Sequence, residues 1–226
     1  MKEDSVALLE FENNPNIGLF MFVNDSIALL GENVSDEKKE QIESVLKVPV
    51  YFVSVLGTSL PGVFVAGNEK VLIVPEMYDY EMDKFKRICE ENSLELLVLS
   101  DKLNTFGNNL CVTNEFILSN PHYPESFLKE IENKTDLSVY KVPSKEIPSV
   151  GGVCCRVCDR LYVSQELNEK MLEPVLDNIG GVGTVNSGGI FVSSGIVGNK
   201  NGVLLGSQSS TVEIQNIVEG LGFLDK

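Results

Sequence analysis

The feature that most constrains how this 226-residue chain can fold is a pattern that occurs five times along it. In each copy a glycine opens a short apolar segment, a turn rich in Asn, Asp or Gly follows, and a second apolar segment comes next. The turn residues Asn24, Asn68, Asn114, Asp159 and Asn199 are spaced 44, 46, 45 and 40 positions apart. Such residues tolerate the positive φ angles of tight hairpins, and the apolar flanks favour strands. The sequence therefore predicts five β-hairpins in a repeating array.

A helical pattern follows each predicted hairpin, with apolar residues three or four positions apart. The five sets are Ile42, Val45 and Leu46; Met82, Phe85 and Cys89; Phe127, Leu128 and Ile131; Leu167, Met171 and Val175; and Ile214, Ile217, Val218 and Leu221. Ser210 and Glu213 have the spacing of a capping box, so the last helix is expected to begin there. The sequence predicts one helix per repeat.

A strand-rich segment is predicted after each of the first four helices, at residues 48–56, 94–100, 137–142 and 179–185. The fifth helix has no such segment after it, and residues 5–11 at the opposite end of the chain can fill that place. A strand shared between the two ends would close a ring. One repeat cannot bury both faces of its sheet, so we expect residues 1–226 to form a single α+β domain of five ββαβ-like repeats with pseudo-five-fold symmetry.

Composition limits the classes of partner. The net charge is −15, from 33 acidic and 18 basic residues, and such a field repels phosphate backbones. We therefore expect a basic protein partner and little direct contact with nucleic acid. No apolar run approaches the roughly 20 residues of a membrane span, and the acidic start lacks a secretory pattern, which predicts an intracellular protein. The five cysteines indicate reduced thiols rather than a disulfide framework.

Three strings occur in the order and spacing of a known family. They are Phe11-Glu12-Asn13-Asn14 followed by Ile17-Gly18, then Gly107-Asn108, then Gly183-Thr184-Val185-Asn186. Over essentially its whole length the chain resembles the translation initiation factor 6 family. The resemblance implies a pentein-type five-bladed α/β propeller that works without a cofactor. It also implies binding to the joining face of the large ribosomal subunit, mainly through basic ribosomal proteins near the sarcin–ricin loop. The bound factor would block docking of the small subunit.

The resemblance further implies a part in large-subunit biogenesis, a monomer off the ribosome, and a cytoplasmic location with nuclear or nucleolar presence in eukaryotes. Family members contact the subunit just after the glycine that opens each repeat. Carried over to this chain, the partner-binding residues are Gly18, Leu19, Gly62, Val63, Gly107, Asn108, Gly152 and Val153. In the fifth copy either Asn186 and Ser187, with Gly188, or Gly195 and Ile196 could take this place.

Two positions depart from the family pattern. Val63 stands where relatives often have a basic residue, so any ionic contact at that position is lost. Glu173 and Pro174 replace a serine pair proposed as a phosphorylation site in animal members, which argues against control by phosphorylation here.

Several local patterns have a plainer interpretation than a chemical one. Cys154, Cys155 and Cys158 could suggest zinc, but the sole histidine, His122, lies in another repeat, so we expect buried thiols and no metal. Strand alternation would put Cys154 and Cys158 on one face. His122 is expected to be a loop or helix-capping residue. The glycine-rich stretch 180–183 lacks the ending of a phosphate-binding loop and is expected to be a strand-rich connection.

Two other functions compete with the ribosomal one. Pentein folds also host guanidino-group hydrolases and transferases that use a cysteine nucleophile with a histidine. In this chain no cysteine follows Cys158 and only His122 could act as base, so we expect no enzyme. The other alternative is a generic acidic ring that binds some different basic protein. Binding to the large subunit but not the small one would distinguish the ribosomal function from this last alternative.

Overall fold

The computed structural model describes residues 5–144 and 146–224, which form five three-stranded β-sheets. The strands are β1 (Val6–Leu9), β2 (Met21–Val23), β3 (Ala28–Gly31), β4 (Val50–Val53), β5 (Ala66–Gly67), β6 (Val71–Pro75), β7 (Glu95–Leu99), β8 (Leu110–Val112), β9 (Phe116–Ser119), β10 (Ser138–Lys141), β11 (Cys154–Val157), β12 (Arg160–Ser164), β13 (Ile179–Gly183), β14 (Ile196–Gly198) and β15 (Val203–Gly206).

Within the described ranges the α-helices comprise four long ones and four single turns. The long helices are α1 (Asp36–Leu46), α3 (Asp79–Glu91), α5 (Glu125–Thr135) and α8 (Thr211–Gly220), and the short ones are α2 (Pro61–Phe64), α4 (Phe106–Asn109), α6 (Val150–Val153) and α7 (Val192–Gly195). Three 3-10 segments span Ile17–Leu19, Glu169–Met171 and Glu173–Asn178. In the part of the chain described, no helix is both long and apolar enough to cross a membrane.

All five sheets have the same topology. Two strands form an antiparallel hairpin, and a third strand lies parallel to the second. In the last sheet the third strand is β1, which pairs with β15 in register from Val6 with Val203 to Leu9 with Gly206. The predicted closure by the two ends of the chain is confirmed. The architecture is the predicted α+β five-bladed propeller.

The long helices cover the blades because each has one apolar side. α1 buries Ile42, Val45 and Leu46, as the spacing predicted. α8 begins with the predicted capping box, in which Ser210 Oγ accepts from the Glu213 N–H and the Glu213 carboxylate accepts from the Ser210 N–H at 2.7 Å. These caps satisfy N–H groups that the first turn of a helix leaves unpaired.

The apolar core lies between neighbouring blades. Ile42 and Val45 of α1 pack in one cluster with Val197 and Leu204 of the last sheet. Phe127 of α5 likewise belongs to a cluster that contains strand residues of the preceding blade. Each blade therefore depends on its neighbour to bury its apolar side chains.

The predicted fourth helix is wrong. The residues between β12 and β13 form the two 3-10 segments Glu169–Met171 and Glu173–Asn178 instead. Pro174 lies at the start of the second segment, where it cannot donate a hydrogen bond, and Val175 has a non-helical φ of −133°. Leu167 and Val175 remain buried, so the apolar residues of the pattern keep their place in the core although the helix is missing.

The hairpin turns of neighbouring blades are linked by buried amide side chains, which we call the asparagine belt. Asn199 Nδ2 donates to Asn24 O at 3.3 Å, Asn24 Nδ2 donates to Asn68 O at 2.9 Å, and Asn68 Nδ2 donates to Thr113 O at 2.7 Å. The three asparagines are each 1% exposed. The period seen in the sequence thus reflects contacts between blades as well as tight turns.

The predicted turns at Asn114 and at Cys158-Asp159 form, but they differ in detail from the three asparagine turns. Thr113, not Asn114, occupies the belt position in the third hairpin, because Thr113 Oγ1 accepts from Phe116 N at 2.9 Å as Asn24 Oδ1 accepts from Ile27 N in the first. In the fourth hairpin Cys158 and Asp159 form a two-residue turn, and Cys158 has a φ of 54°. Cys158 therefore does not share a strand face with Cys154, as alternation had predicted.

Candidate functional site

Five short helical turns surround one end of the pseudo-five-fold axis, and we call the surface they form the glycine face. The turns are Ile17–Leu19, α2, α4, α6 and α7, and each contacts the next around the ring. Their first residues are buried: Ile17, Pro61, Phe106, Val150 and Val192. These apolar residues anchor the turns in the core, so the residues that follow are held at the surface.

The second residue of each turn is small because the backbones are in close contact. These residues are Gly18, Gly62, Gly107, Gly151 and Ser193. A Cβ on Gly62 would lie 1.8 Å from Gly18 O, one on Gly107 would lie 2.1 Å from Gly62 O, and one on Gly151 would lie 2.2 Å from Gly107 O. The ring closes at Gly18, whose added Cβ would lie 2.0 Å from Ser193 O. No side chain larger than hydrogen fits at these glycines without movement of the backbone.

A shallow depression of about 390 Å³ lies on the glycine face. It is lined by Asn16, Gly18, Leu19, Gly62, Asn108, Ser149, Gly152, Phe191, Ser193 and Ser194. None of these side chains carries a charge, although the protein as a whole has a net charge of −15. The glycine face is thus a weakly polar surface on a strongly acidic molecule.

The structure brings together the predicted residues of the first three copies. Gly18, Leu19, Gly62, Val63, Gly107 and Asn108 all lie in the ring of turns and are partly exposed. The Asn108 side chain makes no hydrogen bond to any described residue, whereas Asn109 beside it is buried and accepts from Asn120 Nδ2 at 2.6 Å. Asn109 therefore fixes the turn, and the amide of Asn108 is available to a partner.

The register predicted for the fourth copy is wrong by one residue. Gly151 occupies the ring position, so Gly152 is the residue that follows it on the face. Val153 is 0% exposed and packs in the core, where it cannot contact a partner. Two consecutive glycines made this register ambiguous in the sequence.

The fifth copy is also placed differently from either predicted alternative. Its ring position is Ser193, and Ser194 follows it on the face. Asn186 donates through Nδ2 to Pro15 O at 3.0 Å and so joins two blades, and Ser187 lies in an exposed turn outside the depression. Gly195 and Ile196 are buried. A serine in place of the expected glycine hid the true position from a search for glycines.

Phe191 is the largest of the depression residues that sequence reasoning missed; the others are Asn16, Ser149, Ser193 and Ser194. It is 47% exposed, and its ring lies 3.1 Å from where a Cβ on Gly152 would be. An alignment of the repeats on the buried first residue of each turn pairs Val192 with Ile17 and therefore Phe191 with Asn16. Both Phe191 and Asn16 line the depression. Exposed aromatic residues of this kind are common anchors in protein interfaces.

A narrow channel of about 110 Å³ runs inward from the glycine face between the blades. At its other end Arg156 Nη1 lies 2.6 Å from Glu69 Oε1, and both side chains are largely buried. This ion pair connects the fourth hairpin with the second across the axis.

The channel thiols are unsuited to nucleophilic chemistry. Cys111, Cys154 and Cys155 line the channel, and burial raises the pKa of Cys111 to about 12 and raises the pKa values of Cys154 and Cys155 well above the usual range. These thiols are therefore protonated at neutral pH. His122 is exposed in the turn between β9 and α5. Across the described ranges no three His, Cys, Asp or Glu residues are arranged to hold a metal ion.

Five three-stranded blades closed head to tail around a narrow channel define a pentein-type propeller. A crystal structure of dimethylarginine dimethylaminohydrolase is similar in fold, with a TM-score of 0.50 and 16% identity over 73% of this chain and 68% of that one. The chain belongs to the eIF-6 family, whose model matches residues 6–220.

Curated relatives agree with this membership. The chain is 30% identical to Translation initiation factor 6 of Thermococcus onnurineus, in an alignment covering 97% of this chain and 99% of that one. It is 32% identical to the protein of the same name from Thermococcus kodakarensis and 28% identical to that from Pyrococcus horikoshii, with the same coverage. The predicted family is confirmed, and the names of these relatives support a role in translation initiation.

Proposed function

We propose that the glycine face docks on the large ribosomal subunit and that the bound protein sterically prevents the small subunit from joining. The observation that carries the proposal is the uncharged depression at the centre of the rigid ring of turns. Polar and charged groups must lose water when an interface forms, so a face without charges docks at a lower desolvation cost. The Asn108 amide and the Phe191 ring would supply a directed hydrogen bond and an apolar anchor.

The charge of the rest of the molecule supports a ribosomal partner. A net charge of −15 steers the protein toward basic surfaces, and ribosomal proteins are strongly basic. We propose that basic ribosomal proteins near the sarcin–ricin loop make most of the contacts and that RNA makes few. A stable interface buries on the order of 1,600 Å² in total, which requires the rim of the glycine face in addition to the depression. The same binding would serve large-subunit biogenesis in the cytoplasm, and in the nucleus if the source is eukaryotic.

Similarity in fold to a guanidino-group hydrolase does not give this chain the same catalytic activity. Guanidino-group chemistry needs an accessible thiolate beside a base, and the channel cysteines are buried with raised pKa values. We propose that the chain acts by binding alone.

Asn108→Glu tests the proposal. A larger, negatively charged side chain in the depression should weaken binding to purified large subunits by about tenfold or more, since it would bury an unpaired charge. The measurement is co-sedimentation with large and with small subunits, followed by a subunit-joining assay. Thermal unfolding should be nearly unchanged, because the Asn108 side chain has no partner within the described residues.

Asn133→Glu is the matched control, since Asn133 is an exposed residue of α5, away from the glycine face, and the charge change is the same. Equal binding by both variants would contradict the proposed docking face. Binding of the unaltered protein to both subunits, or to neither, would contradict the proposed function itself.

A further inference from the structure

Three turns share one place in the fold, after the third strand of a blade and before the next helical turn, and the third turn is one residue longer than the other two. They are closed by backbone bridges between Phe11 and Asn14, Val55 and Thr58, and Val185 and Gly189. Each contains consecutive residues with positive φ: Glu12 and Asn13, Leu56 and Gly57, and Asn186 to Gly188. Successive N–H groups in such turns point into a shared hollow that favours an anion.

In two of these turns a glutamate from the next long helix binds the N–H groups. Glu81 accepts from Leu56 N and Gly57 N, both at 2.9 Å. Glu213 accepts from Ser187 N at 3.0 Å and from Gly188 N at 2.9 Å. Both glutamates are the third residue after the helix N-cap, and they are 1% and 7% exposed. The same arrangement, a turn whose N–H groups bind a glutamate carboxylate, therefore occurs twice in the molecule.

The first turn lacks this internal ligand. The third residue after the Ser35 N-cap of α1 is Lys38, and the N–H groups of Glu12 and Asn13 have no acceptor among the residues described. A pocket of about 230 Å³ lies between this turn and the start of α1. Phe11 and Phe20 form its apolar wall, with their rings edge to face at a centroid distance of 5.3 Å.

We infer that this space, the α1 pocket, binds a carboxylate group from outside the chain in the place that Glu81 and Glu213 occupy in the other two turns. The two N–H groups would donate to its oxygens. Lys38 also lines the pocket, and its side chain carries a positive charge that would attract a carboxylate. The backbone N–H donors correspond to those that bind Glu81 and Glu213 in the two filled turns. The charge of Lys38 is an addition found only at the first of the three turns.

Two carboxylates of the chain also line the pocket and limit its affinity. Glu10 accepts a hydrogen bond from Ser207 Oγ, and Glu12 is exposed to solvent. Their repulsion weakens binding of a free anion, so a lone carboxylate is expected to bind only in the millimolar range, about −4 kcal/mol. A carboxylate held in place by a docked protein does not need such intrinsic affinity. The turn leads through Pro15 to Asn16 on the glycine face, so an Asp or Glu side chain of a docked protein is one possible source and a small free carboxylate is the other.

The first experiment uses the isolated protein and sodium acetate as the probe. Backbone amide signals of Glu12 and Asn13 are followed by NMR during titration, with sodium chloride at equal ionic strength as the reference. We expect a saturable shift of these two signals with acetate, and no comparable shift of Leu56, Gly57, Ser187 or Gly188, whose N–H groups are already bound. If the Glu12 and Asn13 signals do not move, the proposal is overturned.

Lys38→Glu tests the comparison between the turns directly. It places a glutamate at the third position of α1, so the pocket should fill from within, the acetate shift should vanish, and the melting temperature should rise. Lys39→Glu makes the same charge change one residue further along the helix and should retain the acetate shift. If Lys38→Glu still binds acetate as the unaltered protein does, the pocket assignment is wrong. Lys38→Ala, which removes the charge but keeps the donors, should weaken the acetate response by about tenfold without abolishing it.

Large-subunit co-sedimentation distinguishes the two sources. If a docked protein supplies the carboxylate, Lys38→Glu should bind the subunit more weakly than Lys39→Glu does. If a small free carboxylate is the ligand, the two variants should bind the subunit alike while differing in the acetate response. Because the acetate titration needs no ribosome, failure of this inference and failure of the proposed function give separate results.

Discussion

The backbone contacts at the ring glycines are close enough that one methyl group should disrupt them. Gly151 and Gly152 are neighbours in α6, but an added Cβ would lie 2.2 Å from Gly107 O in the first case and 3.1 Å from the Phe191 ring in the second. A ring at the surface can move aside, whereas a carbonyl within the ring of turns cannot. We therefore expect Gly151→Ala to lower the free energy of unfolding by about 3 kcal/mol and Gly152→Ala by about 1 kcal/mol or less.

Urea unfolding of both variants measures this difference. Equal losses would mean that the ring of turns is not tightly packed. Since Gly152 lies on the glycine face, its variant also provides a stable protein in which any loss of subunit binding can be assigned to the interface.

Glu213 connects stability to acid pH. Burial alone would raise its pKa, but hydrogen bonds from the Ser210 backbone, the Thr184 hydroxyl and the Gly188 and Ser187 backbones outweigh burial and lower the pKa to about 2. Because the pKa is lowered in the folded state, the stabilisation is complete above the ordinary carboxyl range and is lost as the pH falls toward 2.

Glu213→Gln should therefore cost about 2 kcal/mol or more at pH 7. It should also flatten the fall in stability between about pH 4 and pH 2. Chemical unfolding at several pH values compares the two proteins. If the stability of the variant falls over this range as steeply as that of the unaltered protein, other carboxylates account for the acid sensitivity.

The sequence predicted the ring positions correctly in the repeats that have a single glycine there. It failed in the repeat with two consecutive glycines and in the repeat where serine replaces glycine. Gly18, Gly62 and Gly107 were found with the residues that follow them, including Asn108. Gly152 and Val153 were taken one position late, and Ser193 carries no glycine signal. The distances between backbones that define the ring are visible only in three dimensions. That these residues bind the ribosome remains a prediction.

Among the elements, the hairpins offer a sharp comparison between two asparagines. Asn68 is 1% exposed, accepts from Lys70 N and Val71 N, and donates to Thr113 O in the next blade. Asn114 is a partly exposed turn residue whose Oδ1 has no partner within the described chain. Asn68→Ala should cost about 3 kcal/mol because it leaves several buried groups unpaired, and Asn114→Ala should change stability by less than about 0.5 kcal/mol.

Thermal or urea unfolding of the two variants checks the expectation. A large loss for Asn114→Ala would indicate that the third hairpin is held by the residue that the sequence period suggested rather than by Thr113.

Helices and strands were predictable because hydrophobic spacing encodes which side of an element is buried. Four of the five predicted helices form, and the strand that closes the ring lies within the segment expected for it. The fourth helix failed because spacing does not record the cost of Pro174, whose missing N–H stops a helix whatever face the apolar residues occupy. Burial and helix formation are separate properties, and in this blade the predicted residues are buried although they do not form the predicted helix.

For the whole molecule, the seam between β1 and β15 should control the stability of every blade. Leu9 in β1 is 1% exposed and Leu8 beside it is 45% exposed. Leu9→Ala should cost about 3 kcal/mol in a single unfolding transition, and Leu8→Ala about 1 kcal/mol or less. Because the core lies between blades, we expect amide exchange in the second and third blades to accelerate with the first change.

If amide exchange in the second and third blades of Leu9→Ala keeps its original rate, the blades open independently. That result would contradict the predicted single domain. The ring itself was predictable from a count of strands, since five helices had only four strands after them. The depth and chemistry of the channel were not, because they depend on how closely the backbones approach the axis.

The pairing of β1 with β15 also imposes an order on biosynthesis. Val203 is added 197 residues after Val6, its partner. Until β15 is synthesised, neither β1 nor β14 has a strand to pair with in the final blade. The ring of helical turns then lacks the support that holds Ser193 beside Gly18. A growing polypeptide consequently cannot present the finished surface while most of it is still being made. If the glycine face docks on the large subunit as proposed, a chain that is still being synthesised has no such face to dock with.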